Sequence, residues 1–223
     1  MGANIDCDLS ITETILGEDE MEFAFILRYQ GPLPTCSRTE SRGKEKEVIR
    51  KYLSPQLRDL WEHHRGLKTN LLSAMETPKT IKGSVLNDVS GGRSTGYGHL
   101  PIRGWKFIPL VVRARGWVCD LKILFLRRQA PGDLIQGGDI DNRIKTLFDG
   151  LRIPHDASSV TRDRAENQDE HCFCLLEDDA LITSYSIESE RLWGPVGDEA
   201  NESDVELSIR VQIKKHTASL DFI

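Results

Sequence analysis

Apolar and polar residues alternate strictly near the end of the chain, a pattern that suits a β-strand with one buried face. The alternation is cleanest over 205–213, and a second strand with the same period is predicted over 117–127. Because such a strand must bury its apolar face against another layer, we expect a sheet with one packed side. Further apolar runs predict strands at 21–29, 107–113, 172–176 and 180–188.

Helical periodicity separates these predicted strands. Residues 44–64 place apolar side chains at helical spacing around Pro55, which is expected to interrupt the helix. A short helical segment is predicted over 67–75 and an amphipathic helix over 141–151, and the polar residues 154–171 are expected to form an insertion or mobile loop. The mixture predicts a single α+β domain over residues 1–223, with one mixed β-sheet flanked by helices.

Composition excludes several classes of protein. The 223 residues are 29% charged and 39% apolar, which is typical of a globular chain and not of a disordered or fibrous one. No apolar run approaches the roughly 20 residues of a membrane helix, and the first residues lack a secretory leader, so no membrane association is expected. Five cysteines, an odd number, favour reduced thiols in a cytoplasmic protein over a disulfide framework.

Charge is distributed unevenly along a chain whose net charge is −6. Residues 103–128 hold seven basic side chains and one acid, whereas residues 177–206 hold ten acids and one base. Bulk charge therefore does not attract nucleic acid, although a local basic segment can form a phosphate-contacting face. On charge alone, solvated strand and loop positions are the favoured interpretation.

The stretch 137–154, GGDIDNRIKTLFDGLRIP, carries the strongest chemical signal. Its apolar residues form one buried helical stripe, and beside that stripe runs a charged edge made of Asp141, Lys145, Asp149 and Arg152. Asp139 and Asp141 would point to the same side of an extended backbone, where two carboxylates could hold Mg²⁺ or Mn²⁺. An Asp at a helix start is also favoured as a cap and by the helix dipole, so the pair alone leaves both interpretations open.

A second acidic cluster, Glu177-Asp178-Asp179, lies between two predicted strands. Three acids between apolar runs fit the end of a sheet, where a third carboxylate could join the first two. An ordinary acidic turn explains them equally well. A competing second cluster is His155-Asp156-Ala157, and Asp179 is preferred because apolar strands flank it.

Four motifs resemble the RusA family of Holliday junction resolvases: Asp139-Ile140-Asp141-Asn142, Lys145, Phe148-Asp149-Gly150-Leu151 and Asp178-Asp179-Ala180. Their order and helical spacing both match, over roughly residues 107–213. The resemblance implies a homodimeric, Mg²⁺- or Mn²⁺-dependent endonuclease that cleaves branched DNA. It further implies that the metal ligands are Asp139, Asp141 and Asp179. Lys145 would be the catalytic or phosphate-contacting lysine.

Other residues are candidates for supporting roles in such a site, namely Asp178, Asn142 and Asp149. Candidate contacts to DNA are Arg127, Arg128 and Arg143. The residues alone leave two alternative functions open. One is a metal nuclease for flapped or single-stranded nucleic acid, and the other is a non-catalytic nucleic-acid-binding or structural protein that retains the fold.

Overall fold

A computed structural model describes residues 12–13, 22–33, 39–82, 85–90, 96–128, 139–166, 168–193 and 204–216. Within these ranges the chain forms ten strands and four α-helices, which confirms the predicted α+β class. No helix of the described ranges has both the length and the apolar composition needed to cross a membrane.

The elements are numbered in chain order. The strands are β1 (Thr12–Glu13), β2 (Phe23–Pro32), β3 (Lys79–Lys82), β4 (Val85–Asp88), β5 (Leu100–Ile102), β6 (Trp105–Val111), β7 (Trp117–Arg127), β8 (His171–Leu176), β9 (Ile182–Arg191) and β10 (Asp204–Lys215). The α-helices are α1 (Thr39–His63), α2 (Arg65–Lys68), α3 (Leu71–Glu76) and α4 (Asp139–Leu151). Short 3₁₀ turns occur at Arg113–Arg115, Ala157–Ser159 and Asp179–Leu181.

Five strands form the largest sheet, in the order β1-β2-β10-β7-β9. Its neighbours are antiparallel except β7 and β9, which run parallel. A second sheet has the order β5-β6-β8, and β3 pairs with β4 in a hairpin. The expectation of a single sheet is therefore wrong, because the described residues form three. An apolar run predicts that a segment is a strand, but it does not predict which strand it pairs with. Long-range contacts pair β8 with β6 and not with β7.

The main core lies on one face of the largest sheet. The alternation in β10 buries Val205, Leu207, Ile209, Val211 and Ile213. β7 buries alternate residues on the same face, from Leu121 to Phe125, and both α1 and α4 contribute apolar side chains to this core. The period of two in the sequence therefore gives this sheet one packed face and one face with exposed polar side chains.

The helix α1 runs unbroken through Pro55, in contrast to the predicted interruption. Ser54, the residue before it, accepts a hydrogen bond from the main-chain N–H of Phe173 at 2.8 Å. Contacts of this kind with β8 hold α1 in place and offset the hydrogen bond that a proline cannot donate. The short helix predicted over 67–75 is divided between α2 and α3.

The polar segment between α4 and β8, predicted as an insertion or mobile loop, is packed on the fold where the structure describes it. The side chain of Arg103 donates to the carbonyl of Val160 and forms an ion pair with Asp163 at 3.1 Å. Farther along, Asp169 forms an ion pair with Arg58 of α1. These contacts join the segment both to the β5–β6 turn and to α1.

Three cysteines lie within the described residues, and all three are buried free thiols: Cys119, Cys172 and Cys174. Burial raises the pKa of the Cys119 thiol to about 12, so this thiol stays protonated at neutral pH. Cys7 and Cys36 lie outside the described residues.

Candidate active site

The helix α4 carries most of the candidate catalytic residues and joins two parallel strands. The chain passes from β7 through α4 and β8 to β9, which lies beside β7 in the sheet. The predicted apolar stripe is confirmed, since Ile144, Leu147 and Leu151 are buried in the main core. The ring of Phe148 packs edge-to-face on Tyr185 of β9, with ring centroids 5.2 Å apart. The core therefore holds α4 firmly against the sheet.

The charged edge predicted for α4 divides into two halves. Asp141 and Lys145, in the N-terminal half, are exposed, and neither forms an ion pair with any residue of the described chain. In the C-terminal half, Arg152 lies 2.7 Å from one carboxylate oxygen of Asp149. The ammonium of Lys46 on α1 lies 2.6 Å from the other. Unpaired charge is therefore confined to the first half of the helix.

Asp149 joins α4 to α1. Burial by itself would raise its pKa, but hydrogen bonds from Lys46 and Arg152 outweigh that effect and hold the pKa below its usual value. The carboxylate is therefore ionised and fully engaged at neutral pH. This contact explains the position of Asp149 in the motif without a role at a metal.

The junction of α1 and α4 depends on two further residues. The guanidinium of Arg50 on α1 donates hydrogen bonds to the main-chain carbonyls of Asp149 and Arg152. Gly150 lets the helices approach closely, because a Cβ at that position would lie 2.7 Å from Cγ2 of Ile49. These contacts fix the end of α4 against α1.

The Asp-x-Asp pair lies in the first turn of α4. The helix begins at Asp139, two residues before the predicted start, so the backbone of both positions is helical. The extended backbone on which their convergence was expected is therefore not found at these positions. The side chain of Asp139 lies outside the described part of the structure, whereas those of Asp141 and Asn142 are exposed.

The three acids of the second cluster occupy different environments. Glu177 is buried and accepts hydrogen bonds from the main-chain N–H groups of Leu86, at 2.6 Å, and Arg113, at 2.7 Å. Asp178 is also buried, and its carboxylate caps the following 3₁₀ turn by accepting from the N–H of Ala180 at 2.9 Å. Asp179 alone is exposed. The cluster therefore combines structural contacts with one accessible carboxylate.

The competing cluster around His155 also has a local role. The carboxylate of Asp156 accepts hydrogen bonds from the hydroxyl of Ser158, at 2.6 Å, and from the N–H of Ser159, at 3.1 Å. These bonds cap the 3₁₀ turn that follows, and they lower the pKa of Asp156, with the Ser158 hydroxyl contributing most.

The strand just before Asp179 is hydrogen-bonded to the end of α4 opposite Asp141. The N–H of Ile153, just after α4, donates to the carbonyl of Leu176 at 2.9 Å, and Asp179 follows three residues later in a turn that contacts α4. About 15 Å of helix separates Asp141 from the last residue of α4. The side chains that the structure describes form no group of three or more His, Cys, Asp or Glu residues suited to a metal ion. The structure thus does not bring Asp141 and Asp179 into one described cluster.

Two of the three arginines predicted to contact DNA are buried. Arg127 is 2% exposed, because it lies on the packed face of β7. Arg143 is 5% exposed, and its guanidinium donates to the carbonyl of Leu33 at 2.8 Å. Neither guanidinium can reach a phosphate in this structure, so both predictions are wrong. Arg128, one residue farther along, is partly exposed.

Sequence reasoning missed one exposed aromatic group after β9. The guanidinium of Arg191 lies 4.5 Å from the ring centroid of Trp193, whose side chain is 78% exposed. Alternation gives no signal here because Trp193 lies beyond the end of the strand.

The pairing of Lys46 and Arg50 with the end of α4 was also missed. Their spacing of four residues, one helical turn, was the available signal.

Comparisons of the chain with families of known proteins, with curated proteins and with solved structures find no match. Function has to be inferred from the residues and their geometry.

Proposed function

We propose that the protein is a metal-dependent endonuclease that cleaves phosphodiester bonds in branched DNA, as its similarity in motif to the RusA family implies. One observation carries the proposal: Asp141 and Lys145 are exposed and unpaired on a helix whose remaining edge charges are neutralised. Two acids elsewhere in the motifs, Asp149 and Asp178, have structural partners, whereas Asp141 and Lys145 pair with none of the described residues. A charged pair on a rigid element is suited to positioning a substrate.

The donor chemistry of the proposed ligands fits Mg²⁺ or Mn²⁺. Asp139 and Asp141 would hold the ion at the start of α4. Asp179, which the resemblance also implies as a ligand, is exposed but is connected near the opposite end of α4, so it would join them only if its turn moved. Mg²⁺ commonly takes one or two protein carboxylates and completes its coordination with water and substrate phosphates, so three preassembled carboxylates are not required. When bound, such an ion polarises the phosphodiester and activates water.

The residues of the chain have separate parts in the proposed reaction. Lys145 lies one helical turn from Asp141, and its ammonium would bind the scissile phosphate and offset the charge that develops there. Asp178 would position Asp179 by capping its turn. We further propose that two copies of the chain associate, since a two-fold dimer would present two sites for symmetric cuts.

The experiment is cleavage of an end-labelled synthetic four-way junction, with matched duplex, flap and single-strand controls, in Mg²⁺, Mn²⁺ and EDTA. We expect paired, metal-dependent nicks near the crossover. Asp141→Asn should abolish them, whereas Glu166→Gln, which removes an exposed acid from the segment between α4 and β8, should not.

Two results would contradict the proposal in different ways. Cutting of the flap or single strand in place of the junction would refute the branched-DNA substrate and leave a metal nuclease. Binding of DNA without cleavage of any substrate would favour the non-catalytic alternative.

A further inference from the structure

Three basic side chains lie next to one another on the exposed face of the largest sheet, opposite the face that packs on α4. Arg210 of β10 is directly paired with Lys122 of β7. Arg28 of β2 is paired with Ser208, two residues along β10 from Arg210. Directly paired residues are about 5 Å apart and diagonal ones about 7–8 Å apart. The three exposed cations therefore form one basic cluster, defined here as Arg28, Lys122 and Arg210.

No carboxylate of the described residues neutralises the basic cluster. Lys214, another basic residue of the same face, is by contrast paired with Asp120 at 2.7 Å. Apart from Arg210 and Lys122 themselves, the residues directly paired with the cluster are uncharged: Ile26, Ser186 and Ser208. The carboxylates of Glu206 and Glu188 are diagonal neighbours of Arg28 and Lys122, respectively, and form no ion pair with them. Like charges placed side by side destabilise a sheet, and a bound anion would relieve that repulsion.

We propose that the basic cluster binds the phosphate backbone of nucleic acid, at a surface separate from the cleavage residues of α4. Arginine forks match phosphate oxygens in pairs, and a lysine ammonium adds a compact charge. Phosphates of one strand recur about every 3.4 Å along a duplex axis, so a cluster of this width meets about two or three of them. Only the choice of branched DNA as the ligand rests on the proposed function, since the contact itself needs no cleavage.

Acidic residues on the same face limit the path of the nucleic acid. Glu206 and Glu190 are both paired with Leu126, and Glu188 is paired with Leu124, toward the end of the sheet where β7 ends. These carboxylates repel phosphates, so the contact is limited to the cluster itself and does not extend along the face toward the end of β7. A second copy of the chain, related by a two-fold axis, could also bind this face through its own acidic residues. The experiment below distinguishes such self-association from binding of nucleic acid.

The experiment measures binding of a fluorescently labelled four-way junction by anisotropy, with the full chain and in EDTA, so that cleavage does not contribute. The test variant is Arg28→Gln/Lys122→Gln/Arg210→Gln. The matched control is Arg65→Gln/Lys68→Gln/Lys82→Gln, which removes three exposed cations elsewhere and changes net charge equally. Affinity is recorded between about 50 and 200 mM salt, because each phosphate contact contributes about 0.9 to the slope of log K against log salt.

We expect the test variant to lower the slope by about 2–3 and the affinity by about 10–100-fold at low salt, and the control to lower the slope by less than about 1. Equal losses in both variants, or no loss in the test variant, would overturn the proposal. Arg28→Lys/Lys122→Arg/Arg210→Lys should bind normally, and circular dichroism should show that all three variants are folded.

Two further measurements separate the competing explanations. If sedimentation velocity shows that the test variant alone loses self-association while its DNA affinity is unchanged, the face is a contact between copies and the proposal is wrong. Junction cleavage by the wild-type chain in Mg²⁺ is measured independently. Cluster-dependent binding without cleavage would refute the nuclease and leave this inference standing.

Discussion

The guanidinium of Arg50 on α1 donates a hydrogen bond to the main-chain carbonyl of Arg152, 2.8 Å away, just after the last residue of α4. A second hydrogen bond, to the carbonyl of Asp149, measures 2.9 Å. Carbonyls at the end of a helix lack partners within the helix, and a cation there offsets the negative end of the dipole. A side chain of α1 thus completes the end of the helix that carries Asp141 and Lys145.

Replacing Arg50 by Met should destabilise the fold by about 2–4 kcal/mol, because it leaves buried carbonyls without donors. Arg50→Lys should lose less, since it keeps the charge but not the fork. Urea unfolding measures both effects. The exposed Arg65→Met change is the control and should stay within about 0.5 kcal/mol. An equal loss in the two Met variants would show that Arg50 has no special role.

Gly150→Ala should destabilise the protein by about 1–3 kcal/mol, because the added methyl group would overlap Ile49 of α1. Helix propensity alone predicts the opposite sign, a gain of about 1 kcal/mol for Ala over Gly. A double-mutant cycle with Ile49→Ala, followed by urea unfolding, should show a coupling that recovers much of the loss. A stabilising Gly150→Ala variant would contradict the close approach of the two helices.

The ion pairs of Asp149 predict a dependence of stability on pH. The pKa of Asp149 is lowered in the folded state, so its stabilising contribution is fully present above the unfolded pKa and is lost as the pH falls through the folded pKa. Asp149→Asn should therefore cost about 2 kcal/mol at pH 7, and its unfolding curve should converge with that of the wild type in acid. Unfolding between about pH 7 and pH 3 tests this, with Glu166→Gln as an exposed control. A difference that stays constant over this range would be inconsistent with an ion pair.

Asp141→Asn and Lys145→Ala should act on cleavage and not on stability. Both side chains are exposed, so each free energy of unfolding should change by less than about 0.5 kcal/mol. Asp141→Asn should abolish junction cleavage, whereas Lys145→Ala should greatly reduce the rate and keep Mg²⁺ binding. Single-turnover cleavage and calorimetric Mg²⁺ titration are the measurements. Wild-type rates for either variant would remove that residue from the proposed mechanism.

Adjacent acids at 178 and 179 should give opposite results when replaced. Asp178→Ala should destabilise the protein by about 1 kcal/mol through loss of the cap to Ala180. Asp179→Asn should leave stability nearly unchanged and should reduce metal-dependent cleavage. Thermal melting and the junction assay are run on both variants. Full activity in Asp179→Asn would limit the proposed ligands to those at the start of α4.

Periodicity predicted the elements that depend on local burial. The alternation of β10 and the apolar stripe of α4 are both confirmed, because an element with one buried face repeats its apolar residues with its own period. The same patterns did not reveal that Pro55 lies inside one continuous helix. Packing against β8 decided that point, and such contacts come from residues distant in the sequence.

Charged residues were harder to interpret from their positions in the chain. Arg127 and Arg143 looked like surface cations, yet one faces the core and the other donates to Leu33. Arg28, Lys122 and Arg210 are scattered over three segments, and only strand register makes them neighbours. Whether a charged side chain binds a ligand, forms a structural contact or stays at the surface depends on the residues that the fold places beside it.

The sequence by itself determined the α+β class, the course of most strands and the helix that presents Asp141 and Lys145, since each follows from local hydrophobic period. Only the tertiary structure decided the division into three sheets, the burial of Asp149 and Glu177, and the separation of Asp179 from the start of α4. The physical reason is that hydrophobic period acts over a few residues. Pairing, register and charge neutralisation join residues as far apart in the chain as Arg50 and Arg152.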